Sequence, residues 1–170
     1  LEYRALRDAV RGDFRISAMI ELILQTGLRI SEVANIKTAD INQETIRIEG
    51  YATQPQRTIP INRPAKEAIE KYMIERPKVV SEYVFISKTG KPLAVRNIRA
   101  SVDRFIQKAE LPRYSVNDLR TTFIVENIKN GVDLILISQV AGHKRLSTTE
   151  RYIELAGTKE SGKKQTLIEL

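Results

Sequence analysis

The sequence predicts a mainly α-helical α+β domain with one small antiparallel β-sheet. Apolar residues recur at helical spacing through most segments, and "ETIRIEGYATQPQRTIPIN" alternates apolar and polar residues on both sides of a loop. Glycine or proline punctuates the boundaries between these segments. A chain of 170 residues fits one domain and is long enough to bury its own core.

In "FRISAMIELILQTG", Phe14, Met19, Ile20, Ile23 and Leu24 mark a buried helical face, and Gly27 supplies the stop. A short helix through "RISEVANI" follows a sharp turn. In the hairpin, Ile46 and Ile48 are expected opposite Ile59 and Ile61. Pro64 suits a first helical position, "AKEAIEKYMIE" carries the apolar spacing, and Pro77 ends that helix. "EYVFIS" reads as a strand closed by the turn "KTGKP". The rest reads as helix: "VRNIRASVDRFIQKA", "SVNDLRTTFIVENIKNG", "DLILISQVAG" and "STTERYIEL". Two of these starts have capping-box spacing, Ser115 with Asp118 and Ser147 with Glu150, and the second would put Tyr152 in the second turn of its helix.

The domain is expected over residues 1–156, with residues 157–170 as a C-terminal tail. That tail is polar and glycine-containing until its apolar end, "TLIEL", which needs a surface to bury against. Its own domain and a neighbouring protomer are both open as that surface.

Twenty-eight Lys and Arg against 21 Asp and Glu give a net charge of +7, which points to a polyanion and first to nucleic acid. A solvated surface that merely leans basic is the bland alternative. The absence of cysteine excludes disulfides and thiolate metal sites, and a single histidine argues against a histidine-built one. No metal or cofactor is expected, so any chemistry must use oxygen and nitrogen groups. No apolar run approaches the ~18 to 20 residues that cross a membrane. "LEYRALRDAVRGDFR" lacks the apolar core of a signal peptide. A cytoplasmic protein with no membrane partner is the expectation.

Four side chains stand out. "TGLRISE" puts Arg29 just after a glycine turn, "NDLR" puts Arg120 near a helix start, and "GHKRLSTTERY" holds His143 and Tyr152. Each has an ordinary reading as well: a surface arginine paired with Glu32, a second surface arginine, a structural histidine, an amphipathic core tyrosine. Taken together and in order, "TGLRISEV", the hairpin, "NDLRTTF" and "GHKRLSTTERY" resemble the catalytic domain of the tyrosine recombinases, the phage integrase and Xer-type family. The similarity runs over nearly the whole chain, including the spacing from His143 to Tyr152.

The resemblance implies a tyrosine recombinase catalytic fold and a cofactor-free reaction on double-stranded DNA, cleaving and rejoining a strand through a 3′-phosphotyrosyl intermediate. Tyr152 would be the nucleophile, Arg29 and Arg120 would hold the phosphate, His143 would donate a hydrogen bond to it, and Glu32 would orient Arg29. The chemistry explains the need for such a set. A phenol of pKa ~10 is only ~0.1% ionised at pH 7, so forming a phenolate costs about 4 kcal/mol unless positive charge helps. Paired guanidiniums suit the charge that develops on a pentacoordinate phosphorus.

Two positions depart from the family pattern. The family places a lysine in the hairpin loop to protonate the departing 5′ oxygen, but "GYATQPQR" has none, and that position falls on Tyr51 or Ala52. Arg57 is cationic but a poor proton donor. Asn117 stands where the family has a histidine, and an amide cannot accept a proton at neutral pH. Three outcomes follow: an active enzyme with Lys88 or Lys91 as the acid, an active but slower one, or a relative that binds DNA without cutting it.

The resemblance further implies a homo-tetramer on DNA assembled from monomers in solution. It also implies an N-terminal core-binding domain that is absent from this chain, so a fragment is expected. Alternatives are type IB topoisomerase-like strand relaxation and a regulatory DNA-binding module using "SVNDLRTTFIVENIKNG" as its recognition helix.

Overall fold

The structure, a computed structural model, describes residues 2–50, 54–158 and 162–170. Its centre is helix α2 (Phe14–Thr26), which starts where the Asp13 carboxylate accepts the Ile16 N–H at 3.1 Å. From Ala18 to Thr26 every residue is buried, because α2 is enclosed by helices on several sides rather than laid on a surface. Phe14, expected in the core, is 41% exposed at the helix start.

Helix α1 (Tyr3–Ala9) precedes α2, and α3 (Ile30–Ala34) follows it after a two-residue step beyond Gly27. Strands β1 (Thr45–Ile48) and β2 (Arg57–Pro60) form an antiparallel pair. Ile46 faces Ile59 as expected, but Ile48 faces Arg57 and not Ile61, whose N–H instead bonds the Glu44 carbonyl at 2.8 Å. Period-two alternation puts Arg57 on the same inward face as Ile59.

Helix α4 (Arg63–Glu75) starts at Asn62, whose side chain accepts the Ala65 N–H, so Pro64 is the second helical residue and not the first. It packs along α2. The segment "EYVFIS" is not a strand: Tyr83 bridges Lys37 and Ile86 bridges Pro92, each as an isolated pair. The Arg76 guanidinium takes the carbonyls of Ser81, Tyr83 and Val84, which curls the backbone away from a ladder. Val84, Phe85 and Ile86 still enter the core.

Helices α5 (Val95–Lys108), α6 (Val116–Lys129) and α7 (Leu134–Ala141) complete the body. The Ser115–Asp118 box forms, with the Asp118 carboxylate accepting from the Ser115 N–H at 2.8 Å. The Ser147–Glu150 box does not. Arg145 occupies the cap position, Ser147 lies inside α8 (Leu146–Glu150), and Tyr152 opens a separate helix, α9 (Tyr152–Ala156). Tyr152 is therefore a first-turn residue. Helix α6 is buried along most of its length, packing on α2, α7 and α9, which does not suit a recognition helix lying in a groove.

The tail returns to its own domain. Lys164 bridges Val132, and its N–H and carbonyl bond the Gly131 carbonyl and Asp133 N–H. Buried Asn127 accepts the Ile168 N–H at 3.0 Å, and buried Gln25 both accepts from and donates to the Leu170 backbone. Leu167 and Ile168 pack against the core. Among the described residues, no helix is long and apolar enough to cross a membrane. The fold is thus the mainly helical α+β domain with a two-stranded antiparallel sheet that the sequence predicts.

Candidate active site

The site begins at the end of α2. Gly27 terminates the helix in the left-handed region at φ 64°, and a Cβ there would stand 2.4 Å from Cδ1 of fully buried Phe123. Only glycine allows that approach, and it brings the end of α2 onto α6. The Gly27 carbonyl accepts a hydrogen bond from Nη1 of Arg120, one α6 turn before Phe123. Two residues past Gly27, Arg29 opens α3, and its N–H donates to the Glu32 carboxylate at 2.8 Å. The Arg29 guanidinium reaches across to the carbonyls of Ala141 at 3.3 Å and Gly142 at 3.0 Å, at the C-terminal end of α7. A helix C-terminus offers unpaired carbonyls and partial negative charge, so a guanidinium is well placed there.

Beneath these groups lies Arg57, whose inward position on β2 the fold explains. It donates to both Glu32 oxygens, at 2.7 and 3.0 Å, and through Nε to the Val140 carbonyl at 3.0 Å. The Arg57 and Glu32 side chains are only 12% and 10% exposed. The bidentate pair is therefore a buried one, with lone pairs and protons largely satisfied. Burial alone would raise the Glu32 carboxyl, but hydrogen bonds from Arg57 and from the Arg29 N–H outweigh it and hold the group below its ordinary range. Glu32 stays ionised and ties α3 to β2.

Gly142 caps α7 at φ 67°, and a Cβ would meet the Arg57 guanidinium carbon at 2.6 Å. That turn delivers His143, whose N–H bonds the Ser138 carbonyl at 2.9 Å. The imidazole Nδ1 lies 2.7 Å from Oγ1 of Thr149, a fully buried residue of α8. The rings of His143 and Tyr152 are nearly parallel, 8° apart in tilt, with centroids separated by 6.2 Å.

The electrostatics of the cluster are one-sided. Burial, with Arg29 close by, pushes Arg120 down to about 10, and Glu32 offsets this only in part. Burial, with Arg120, Arg29 and Arg57 nearby, pushes His143 down to about 4. Such a concentration of cations is short of negative charge, and an anionic ligand would relieve it. Among the described residues, no group of histidine, cysteine, aspartate and glutamate side chains could hold a metal ion.

The structure thus brings Arg29, Glu32, Arg120, His143 and Tyr152 into one neighbourhood. Asn117 is exposed on the first turn of α6. Lys88 lies elsewhere, lining a cleft of about 240 Å³ with Arg15 and Asn97. Arg15 is twelve residues from Gly27 along α2, about 18 Å at helical rise. Lys91 is exposed on the same turn, its N–H bonded to the Ser87 hydroxyl. Tyr51 and Ala52, where the hairpin lysine would fall, lie outside the described residues. Sequence reasoning gave no positive role to Arg57 and none to Thr149. For Arg57 the signal was present, a cation on the apolar face of a strand.

Residues 2–159 match the phage integrase family. The chain belongs to the phage integrase family. It is 29% identical over 165 residues to the tyrosine recombinase XerC of Staphylococcus carnosus, covering 91% of this chain and 55% of that protein. The crystal structure of XerA recombinase superposes with a TM-score of 0.81 at 24% identity, covering 88% of this chain and 55% of that one. XerH site-specific recombinase, bound to its palindromic difH substrate after cleavage, gives 0.78 at 23% identity, covering 90% of this chain and 48% of that one. The chain spans about half the length of the curated relatives it matches. Across this span the phage integrase fold is complete enough to hold both arginines, the histidine and the tyrosine together.

Proposed function

We propose that this chain is the catalytic domain of a site-specific DNA recombinase that cuts and rejoins a strand through a 3′-phosphotyrosyl intermediate. The observation that carries this reading is the gathering of Arg29, Arg120 and His143 beside Tyr152, with the His143 and Tyr152 rings stacked. The Tyr152 oxygen attacks the scissile phosphorus, the bond to the 5′ oxygen breaks, and the phosphodiester energy is kept in the new P–O bond. Arg29 and Arg120 hold the non-bridging oxygens and offset the added charge of the transition state. His143 donates a further hydrogen bond.

Proton handling is the weak part of the site. Arg57 is committed to Glu32 and Val140 and has no proton to give. Two sources remain for the leaving 5′ oxygen: a lysine of the 88–91 turn that moves when DNA binds, and water. The water route would cost part of the ~10²- to 10⁴-fold that a placed acid supplies. Asn117 can hold phosphate but cannot take the tyrosine proton.

The working unit we propose is a homo-tetramer on two duplexes, formed on DNA from monomers. The tail is the segment suited to link protomers, since buried Gln25 and Asn127 bond only its backbone amides and carbonyls and would accept the same segment from a neighbour.

The experiment is covalent trapping on nicked suicide substrates carrying the cognate ends, read on a denaturing gel. A protein–DNA adduct that disappears in Tyr152→Phe is expected. An adduct that survives that change would overturn the assignment of the nucleophile, and no adduct at all would favour a DNA-binding relative. Strand exchange between two duplexes separates a recombinase from a topoisomerase-like enzyme.

A further inference from the structure

We propose that Thr149 is a positioning residue that fixes His143 as the tautomer carrying its hydrogen on Nε2, so that the ring presents a donor to the phosphate. The inference rests on the strand-cleavage reading only for its purpose. Its geometry stands alone.

Thr149 is fully buried, and its hydroxyl lies 2.7 Å from Nδ1 of His143. Other helical threonines here spend their hydroxyl on the carbonyl four residues back: Thr26 on Leu22 and Thr122 on Asp118. Thr149 has no such bond, and among the described residues no carbonyl accepts from it. A hydroxyl has one hydrogen to place, and burial makes an unplaced one costly. The only acceptor in reach is the Nδ1 lone pair. Nδ1 must then be bare, and in a neutral imidazole the hydrogen resides on Nε2. With Nδ1 of His143 committed to α8, Nε2 is the nitrogen free to serve a ligand.

The His143 N–H bond to Ser138 fixes the backbone, and the near-parallel Tyr152 ring limits rotation about χ2. The Thr149 bond then decides which nitrogen donates. The surrounding guanidiniums keep the ring neutral near pH 7, so it has a tautomer to choose.

His143 is the chain's single histidine, so a protein labelled with ¹⁵N-histidine shows one imidazole. Two-bond proton–nitrogen correlation at neutral pH is expected to show the Nε2–H form in the wild type, loss of that preference in Thr149→Val, and its recovery in Thr149→Ser. A wild-type Nδ1–H form, or an unchanged spectrum in Thr149→Val, would overturn the proposal. In the adduct assay, Thr149→Val is expected to lose at least about tenfold in cleavage rate, as removal of a transition-state donor does, with Thr149→Ser recovering it. A wild type that forms no adduct counts against strand cleavage, and the spectrum still decides the tautomer.

Discussion

The guanidinium of Arg57 occupies the space where Gly142 would carry a side chain, 2.6 Å from the position of its Cβ. Because Glu32 and Val140 hold Arg57 by three hydrogen bonds, it cannot swing aside cheaply. Gly142→Ala should therefore destabilise by more than the ~1 kcal/mol of positive-φ strain alone. Arg57→Ala should cost about 3 kcal/mol, since it leaves a buried carboxylate underpaired. In the double variant the steric part of the alanine penalty vanishes, so urea unfolding should show the two changes summing to less than their separate costs. Strict additivity would mean that the two residues do not share that space.

The cation-rich cluster should bind oxyanions before it meets DNA. Vanadate at a hundredfold excess over its Kd is expected to stabilise by about 2.7 kcal/mol, several degrees of Tm in a domain of this size. Arg120→Ala should abolish the shift. A general salting effect would raise both proteins equally.

Acid should weaken the fold through His143. Its folded pKa of about 4 lies below the ordinary value of 6.5, so the unfolded chain takes the proton first. The stabilisation is full above about pH 6.5 and is lost as pH falls toward 4. Glu32 adds a loss of the same sign at lower pH, because its folded pKa is also depressed. Chemical unfolding across this window should show the wild type losing stability faster than His143→Gln. Parallel curves would remove His143 from the account.

The missing hairpin lysine makes protonation of the 5′ oxygen the expected slow step. A substrate with sulfur at the bridging 5′ position, which departs without a proton, should be cleaved about 10²-fold faster or more. Lys88→Ala with Lys91→Ala should slow the oxygen substrate alone if that turn supplies the acid. Equal effects on both substrates would point to DNA binding.

A proton acceptor restored at the α6 start should also help. Asn117→His, exposed on the first turn, is expected to raise the adduct rate by about tenfold. An unchanged rate would show that water already removes the tyrosine proton without limiting the reaction.

Local signals were legible and distant ones were not. Gly27, Ser115 with Asp118, and the α7 to Gly142 turn are written in neighbouring residues, and the helices they delimit stand close to where the pattern puts them. Ser147 with Glu150 has the right spacing, yet Arg145 already adopts the extended cap conformation two residues earlier, so the spacing was coincidental. "EYVFIS" has strand composition, but a strand needs a partner ladder, and Arg76 claims the carbonyls that would have formed it. Arg57 reaches Glu32 and Val140 across long sequence separations, which no periodicity encodes. The four prominent site residues were readable because each sits next to a turn or cap. The groups that hold them in place were not.

The buried Arg57–Glu32 pair also affects how a genetic screen of this domain would read. Selection for loss of recombination should return Gly27, Glu32, Arg57 and Gly142 as readily as Tyr152, since each keeps the arginines and the histidine in register. Phenotype alone would inflate the catalytic set. Only variants that stay folded and still bind DNA, yet form no adduct, distinguish the chemistry from its scaffold.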